Sequence, residues 1–352
     1  MKAAAGDQIH LRAAERADRH AVLELLDPTL GWSSDDNFHA FYSWKHDENP
    51  FGPSPSWVAV DDGEVVGLRV FLRWEHVAPS GEVLRTVRAV DTATRPSHQG
   101  RGIFRRLTVH AIDDLRADGV AFVFNTPNDS SRPGYLKMGW TQVGHLAASV
   151  RLRSPASLWR VARARVPADI WSVPSTAGRP ASEVLVSPGL AELLGSLASP
   201  DGLSTHRTPA FLRWRYGFGA LAYRAITLGD DVRDGVAIFR VRRRGPALEC
   251  ALCDVLVPAS EPGARRALVR SMARASGADY VIGLGGPAVG RDGFARAPQR
   301  GPILTWRPLQ AGTAGGRDRR MPNPVTPGAL RSCPLSQVPC ATIRNAVIDA
   351  GL

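Results

Sequence analysis

Over roughly the first 150 residues the spacing of apolar positions switches repeatedly between strand-like alternation and a helical period, and each switch marks an element. IHLRAA (Ile9–Ala14) reads as a short strand and DRHAVLELLD (Asp18–Asp27) as a helix. The polar, aromatic-bearing run SSDDNFHAFYSWKHDENPFGPS is expected to hold a second helix and then a Pro/Gly loop. SWVAVDDGEVVGLRVFLRW reads as a hairpin turned at Asp62-Gly63, because both central positions of such a turn need positive φ. EVLRTVRAVDTAT gives a further long strand after the turn at Pro79-Ser80-Gly81. In GIFRRLTVHAIDDLRADG, Ile103, Leu107, Ala111 and Leu115 share one face, and Gly119 stands where a helix C-cap belongs. VAFVFNTPN is apolar enough for a strand buried on both faces. SRPGYLKMGW brings a short turn or helix, and TQVGHLAASVRLR returns as one strand.

A similar rhythm follows the Pro/Ser/Ala-rich stretch around Pro155 to Pro180. It runs helix GLAELLGSLA, strands YRAITLGD, GVAIFRVRRR and LECALCDVLV, helix GARRALVRSMARAS and strand DYVIGLG. The correspondence suggests a degenerate duplication. The expected division is a first domain over 1–153, a linker over 154–181, a second domain over 182–310 and an irregular Gly/Arg/Pro-rich tail over 311–352.

Composition narrows the class. The chain has 352 residues, enough for two ordinary domains, and 44% hydrophobic content supplies ample core. No apolar run reaches the roughly 18 residues that a membrane helix needs, and the start shows no apolar signal region. The expected location is the cytoplasm. The net charge of +11 is almost wholly arginine, since Lys2, Lys45 and Lys137 are the only lysines. This favours an anionic ligand, but the arginines are scattered along the elements, which argues against a nucleic-acid track. Cys250 and Cys253 form a C-x-x-C inside an apparent buried strand. Residues three apart on a strand face opposite sides, so they are read as free thiols, with no metal site.

The chemistry concentrates in RPSHQGRGIFRRL (Arg95–Leu107), a strand-to-helix turn crowded with glycine and arginine. It has no lysine, so it is not the phosphate loop of a nucleoside triphosphatase. Arg105 stands where a dinucleotide fingerprint needs its third glycine. Backbone N–H groups converging at a helix N-terminus make a cradle for a pyrophosphate, and glycine lets the anion approach. Arg95, Arg101, Arg105 and Arg106 are expected around that cradle.

QGRGIF, preceded by a strand and by Arg95-Pro96, resembles the acyl-CoA loop Q/R-x-x-G-x-G/A of the GCN5-related N-acetyltransferases, with Gln99 and Gly102 at its first two fixed positions. YLKMGW (Tyr135–Trp140) resembles the family's Y-x-x-x-G-F segment, and the element order of the first 150 residues agrees. Phe104 departs from the pattern, standing where the family has Gly or Ala; its ring is expected to pack into the core, the alternative being a place in the acyl channel. The resemblance implies an α/β fold with mixed sheets, the acyl-CoA N-acyltransferase fold in two tandem lobes. The second lobe would have lost its cofactor site, because its turn VPASEPGARR has no Q-x-x-G.

The implied co-substrate is acetyl-CoA or a longer acyl-CoA, and the implied reaction is direct transfer to a primary amine on a small-molecule acceptor. Val90, Thr92, Ala93, Gln99, Gly100, Arg101, Gly102, Ile103, Phe104, Arg105 and Asn128 would bind the cofactor. An oxyanion donor would come from Val90 to Ala93, and Tyr135 would protonate the leaving thiolate. Asp91 is the candidate base, with His98 and His145 flanking it. Asn125 and Asn128 are read either as cofactor contacts or as turn formers, and FLRWRYGF (Phe211–Phe218) either as an acceptor contact or as a packing segment. Asp47 and Glu48 are available to a cationic amine. Acceptors in view are amino sugars, antibiotics and peptide amines. The rival class is a non-catalytic CoA- or nucleic-acid-binding module, and a third is transfer of an amino acid from charged tRNA.

Overall fold

The structure is a computed structural model that describes residues 9–310 apart from 31–35, 147, 165, 200, 201, 262, 285–292 and 298–300. The described residues fall into two compact units, the first drawn from 9–76, 83–143 and 304–310, the second from 77–82 and 144–303. The predicted tail and its cysteines, Cys333 and Cys340, lie outside the described residues.

The first unit contains β1 (His10–Ala13), α1 (Arg19–Leu30), α2 (Asp36–His46), β2 (Ser56–Asp61), β3 (Glu64–Val77), β4 (Val83–Thr94), α3 (Ile103–Ala117), β5 (Phe122–Asn125), α4 (Arg132–Lys137) and β6 (Thr141–His145). Its sheet runs β1-β2-β3-β4-β5, then the late strand Ile303–Pro308, then β6. The β2–β3 hairpin turns as expected through Asp62 (φ 49) and Gly63 (φ 79). β4 and β5 are parallel, with Val87 opposite Val123 and Arg88 opposite Phe124, and α3 makes the crossover between them. The face predicted for α3 is its buried face: Ile103, Leu107, Ala111 and Leu115 are all buried, with Thr108 and Ile112 beside them. They pack on Trp57, Ala59, Val66, Phe71 and Val87. The opposite face of the sheet packs Val58, Leu68 and Val70 against Val22, Leu25 and Leu26 of α1.

The expected single strand TQVGHLAASVRLR is two strands. Thr141–His145 closes the first sheet, whereas Ala148–Leu152 pairs with Tyr280–Leu284 in the second. Gly144, at φ 151, marks the change of direction. The late strand Ile303–Pro308 meanwhile pairs antiparallel with β5, Thr305 opposite Asn125.

In the second unit the order is Ala295–Ala297, Ala148–Leu152, Tyr280–Leu284, Ala247–Leu256, Val236–Arg244, Arg224–Thr227 and Arg179–Pro180. Ala247–Leu256 and Tyr280–Leu284 are parallel, joined through the helix Ala264–Ala275, which repeats the β4-α3-β5 arrangement. The helix buries Leu268, Val269 and Met272 on the sheet. Cys250 and Cys253 are buried free thiols, and burial pushes the Cys250 thiol up to about 12. Among the described residues no group of side chains could hold a metal, and no helix is long and apolar enough to cross a membrane. FLRWRYGF forms the helix Pro209–Arg215 and its C-cap, with Phe211, Leu212, Arg215 and Tyr216 buried; the Tyr216 hydroxyl donates to Asp254 at 2.6 Å.

Candidate active site

Gly100 (φ 79) and Gly102 (φ 71) both take the left-handed conformation, and a Cβ on either would meet no atom within 4 Å. Gly102 is the N-cap of α3, and no side chain caps that helix. Its first N–H groups thus face outward through an open turn, at the positive end of a fifteen-residue helix. This turn opens on a cavity of about 620 Å³ lined by Thr92–Thr94, His98–Gly100, Gly102–Phe104, Asn128, Ser130 and Ser131 among others. The residues present fit an anionic phosphate group at the turn and a narrow chain running on toward β4.

The cavity meets β4 where that strand runs on past β5, still flanked by β3 on its other side. The β4–β5 register stops at Arg88 and Phe124, β5 ends at Asn125, and β4 continues to Thr94. Side-chain alternation also slips there: Val87 and Ala89 pack with α3, but both Val90 and Ala93 pack on the α1 side. Thr92 and Ala93 line the cavity, and the Thr92 hydroxyl donates to Leu68 O at 3.0 Å. Val90 does not line it; its carbonyl accepts from Arg69 Nη1 at 3.3 Å.

The arginines divide. Arg95 pairs with Glu64 at 2.9 Å, Arg101 lies 3.5 Å from Asp61, and Arg106 turns back to donate to Ile9 O at 2.8 Å. Arg105 is exposed, and among the described residues no carboxylate pairs with it. Of the four expected around the cradle, Arg106 is therefore withdrawn into the β1 contact. Gln99 hydrogen-bonds Thr94 O at 3.2 Å and stiffens the loop. Asn128 lines the cavity, but its Oδ1 accepts from Ser131 N and Oγ at 2.9 and 2.8 Å, as a turn former does. Asn125 is buried and accepts from Thr305 Oγ1 at 2.6 Å.

Phe104 stands between core and cavity. Its ring packs on the core and also lines the cavity, edge-on to Tyr135 at 5.4 Å between centroids. Tyr135 is buried, and its Oη accepts from Arg69 Nη2 at 2.7 Å.

Asp91 is not on the cavity wall. One of its oxygens receives both Lys45 Nζ at 2.8 Å and His46 Nε2 at 2.7 Å. Burial alone would raise the Asp91 pKa, but Lys45 and His46 outweigh it and hold the carboxyl well below the usual carboxylate range. Burial also pushes the His46 imidazole down, so it stays neutral near pH 7. With Asp91 ionised, Nε2 carries the hydrogen and Nδ1 accepts from the Ser54 hydroxyl at 2.9 Å. A carboxylate held this way is a poor proton acceptor. His98 is bound to Asp61 at 3.0 Å, and Asp47 is taken up by Arg19 at 2.7 Å.

Arg69, Lys45, His46 and Ser54 were not singled out by sequence pattern. The available signals were an arginine inside the apolar run VVGLRVFLRW and a lysine inside FYSWKH in a chain of few lysines.

Residues 10–143 match the acetyltransferase (GNAT) domain family. No curated protein matches the sequence. Among solved structures the chain is similar to a GCN5-related N-acetyltransferase from Anabaena variabilis, at 15% identity over 86% of this chain and 73% of that one, with a TM-score of 0.61. A probable N-acyltransferase from Enterococcus faecalis (11%, the same coverages, TM-score 0.59) and Eis1 from Mycobacterium abscessus (16%, 86% and 73%, TM-score 0.55) share the fold. The chain thus has the two-domain acyl-CoA N-acyltransferase fold, and the stretch that holds the glycine cradle and the parted strands, residues 10–143, is the part that matches the GNAT acetyltransferase domain family.

Proposed function

We propose that the protein moves an acetyl or longer acyl group from acyl-CoA to a primary amine by direct transfer, at the site in the first unit. The observation that carries this reading is the turn at Gly100 and Gly102, uncapped at the head of α3, opening onto a cavity that reaches the end of β4 beyond its pairing with β5.

Acyl-CoA would supply the activated thioester. Gln99–Arg105 would hold its phosphates, Arg101 and Arg105 adding charge at the exposed rim. Backbone N–H groups of the parted β4 segment, Val90 to Ala93, would stabilise the developing oxyanion. Tyr135 would donate its phenolic proton to the departing sulfur. Asp91 would fix His46 and Lys45 against β4 and leave proton removal from the amine to water or another group. The acceptor is proposed to be a small amine-bearing molecule of the amino-sugar, antibiotic or peptide class, in the cytoplasm.

The test is calorimetric titration with CoA, acetyl-CoA and a long-chain acyl-CoA, on wild type and Gly102→Glu. Micromolar binding that the substitution abolishes supports the site, and the preferred chain length selects the donor. No binding to any of the three would refute the enzyme reading and leave a protein that keeps the fold without the chemistry.

A further inference from the structure

Arg69 lies in the middle of β3 and is 1% exposed, yet among the described residues no carboxylate pairs with it. A guanidinium so placed is expensive to bury, and its surroundings show what compensates. Its carbon sits 4.6 Å from the centroid of Phe71, 5.5 Å from Phe104 and 5.4 Å from Tyr135, so three aromatic rings enclose the cation. Nη1 donates to Val90 O at 3.3 Å and Nη2 to Tyr135 Oη at 2.7 Å, while Nε has no partner among the described residues.

The direction of the second bond matters. A guanidinium can only donate, so in this pair the phenol oxygen is the acceptor. Among the described residues, Tyr135 Oη has no acceptor for its own hydrogen. The phenol therefore has its oxygen fixed and its donor unspent. Phe104, whose ring lies edge-on to Tyr135 and on the cavity wall, limits the remaining directions.

We infer that Arg69 is a positioning residue for Tyr135, holding the phenol by its oxygen so that its O–H is presented to the sulfur of CoA. The inference rests on the acyl-transfer reading above. When the new C–N bond forms and the C–S bond breaks, the electron pair leaves on sulfur and Tyr135 passes its proton there. The phenolate that remains is already hydrogen-bonded to a cation, and solvent returns the proton lost from the amine. Phe104 then has a use: it is the third ring of the enclosure that keeps Arg69 aimed.

The experiment compares the binding of CoA and desulfo-CoA by calorimetry at pH 7 and pH 9. In wild type CoA is expected to bind more tightly than its desulfurised analogue, and the preference should grow with pH to about tenfold, as expected for a hydrogen bond to a charged sulfur. Arg69→Gln should bind desulfo-CoA as wild type does but lose most of the preference. Arg69→Lys keeps the charge without the fork and should fall between. Tyr135→Phe should abolish the preference, and the double variant should be no worse.

Equal loss of affinity for both ligands in Arg69→Gln and Arg69→Lys would mean a merely structural arginine and overturn the inference. A preference kept in Tyr135→Phe would overturn it together with the proposed role of Tyr135. Failure of wild type to bind either ligand would instead strike the acyl-CoA reading itself.

Discussion

A Cβ placed on Gly67 of β3 would stand 2.5 Å from Cγ2 of Ile103, the first residue of α3. It would also come within 3.2 Å of Ala59 Cβ and 3.3 Å of Leu107 Cδ1. The N-terminus of α3 is therefore seated on the sheet by a missing side chain. The glycine cradle one residue upstream of Ile103 inherits that position. Gly67→Val must push α3 outward, since the obstructing atoms belong to a fully packed core. Overpacking of this kind costs about 1–3 kcal/mol. Urea unfolding should show that loss, and affinity for CoA should fall with it although residue 67 does not line the cavity at the turn. Unchanged stability would mean that α3 is not held where Gly67 puts it.

The buried pair of Lys45 and Asp91 makes a second prediction. Asp91→Ala leaves the Lys45 cation 5% exposed with no counter-charge, and breaking a buried pair costs about 3–5 kcal/mol. Adding Lys45→Met should recover most of the loss, whereas additive losses would show that the two do not interact. The sign with pH follows from the depressed Asp91 pKa: its contribution is present above the ordinary carboxylate value and disappears as pH falls below it. Asp91→Asn in the first instance should lower stability more than it lowers turnover under folded conditions.

Much of this was legible in the sequence, and the reasons are local. The Asp62-Gly63 turn and the apolar face of α3 depend on positions a few residues apart, so pattern reveals them. The two glycines of the cradle carried their left-handed geometry in their identity. What was hidden depends on distant pairing. Nothing in TQVGHLAASVRLR says that its halves serve different sheets, because the partner Tyr280–Leu284 lies more than a hundred residues away. Arg69 could be seen as an oddity in a buried strand, but only the fold brings Tyr135 and Phe104 around it. Asp91 is visible on its strand in the sequence, but that Lys45 and His46 reach it from α2 is not.

Glu249 anchors the second unit. It is fully buried; Oε1 accepts from Arg242 Nε at 3.0 Å, and Oε2 accepts from the Tyr280 hydroxyl of the neighbouring parallel strand. Arg244 approaches the same carboxylate at 3.3 Å. Glu249→Gln keeps the volume but leaves Arg242 buried without its charge, so a loss of about 3 kcal/mol or more is expected. Hydrogen exchange should show the loss in Val236–Leu256 and Tyr280–Leu284, with α3 and β4 unaffected. Loss spread equally over α3 and β4 would contradict the separate packing of the two units.

His76, at the end of β3, supplies a pH dependence that can be isolated. It is buried among Phe122 and Phe124, at 5.2 Å from each ring, and its Nδ1 lies 2.9 Å from Thr86 Oγ1. The Thr86 hydroxyl donates to Trp74 O, so Nδ1 carries the hydrogen and donates to Thr86 Oγ1. Burial pushes the imidazole down to about 3 from an ordinary value of 6.5. Above 6.5 neither the folded nor the unfolded chain protonates this residue, and it adds no slope. Between 6.5 and about 3 the unfolded chain takes up a proton that the folded chain refuses, so stability falls as pH falls, by about 1.4 kcal/mol per pH unit. His76→Phe removes that proton and fills the same aromatic niche. Urea unfolding of both proteins at pH 7, 6, 5 and 4 should give curves that diverge below 6.5, the wild type losing stability faster. Parallel curves down to pH 4 would show that His76 titrates alike in both states, and that the ring is not held dry between Phe122 and Phe124.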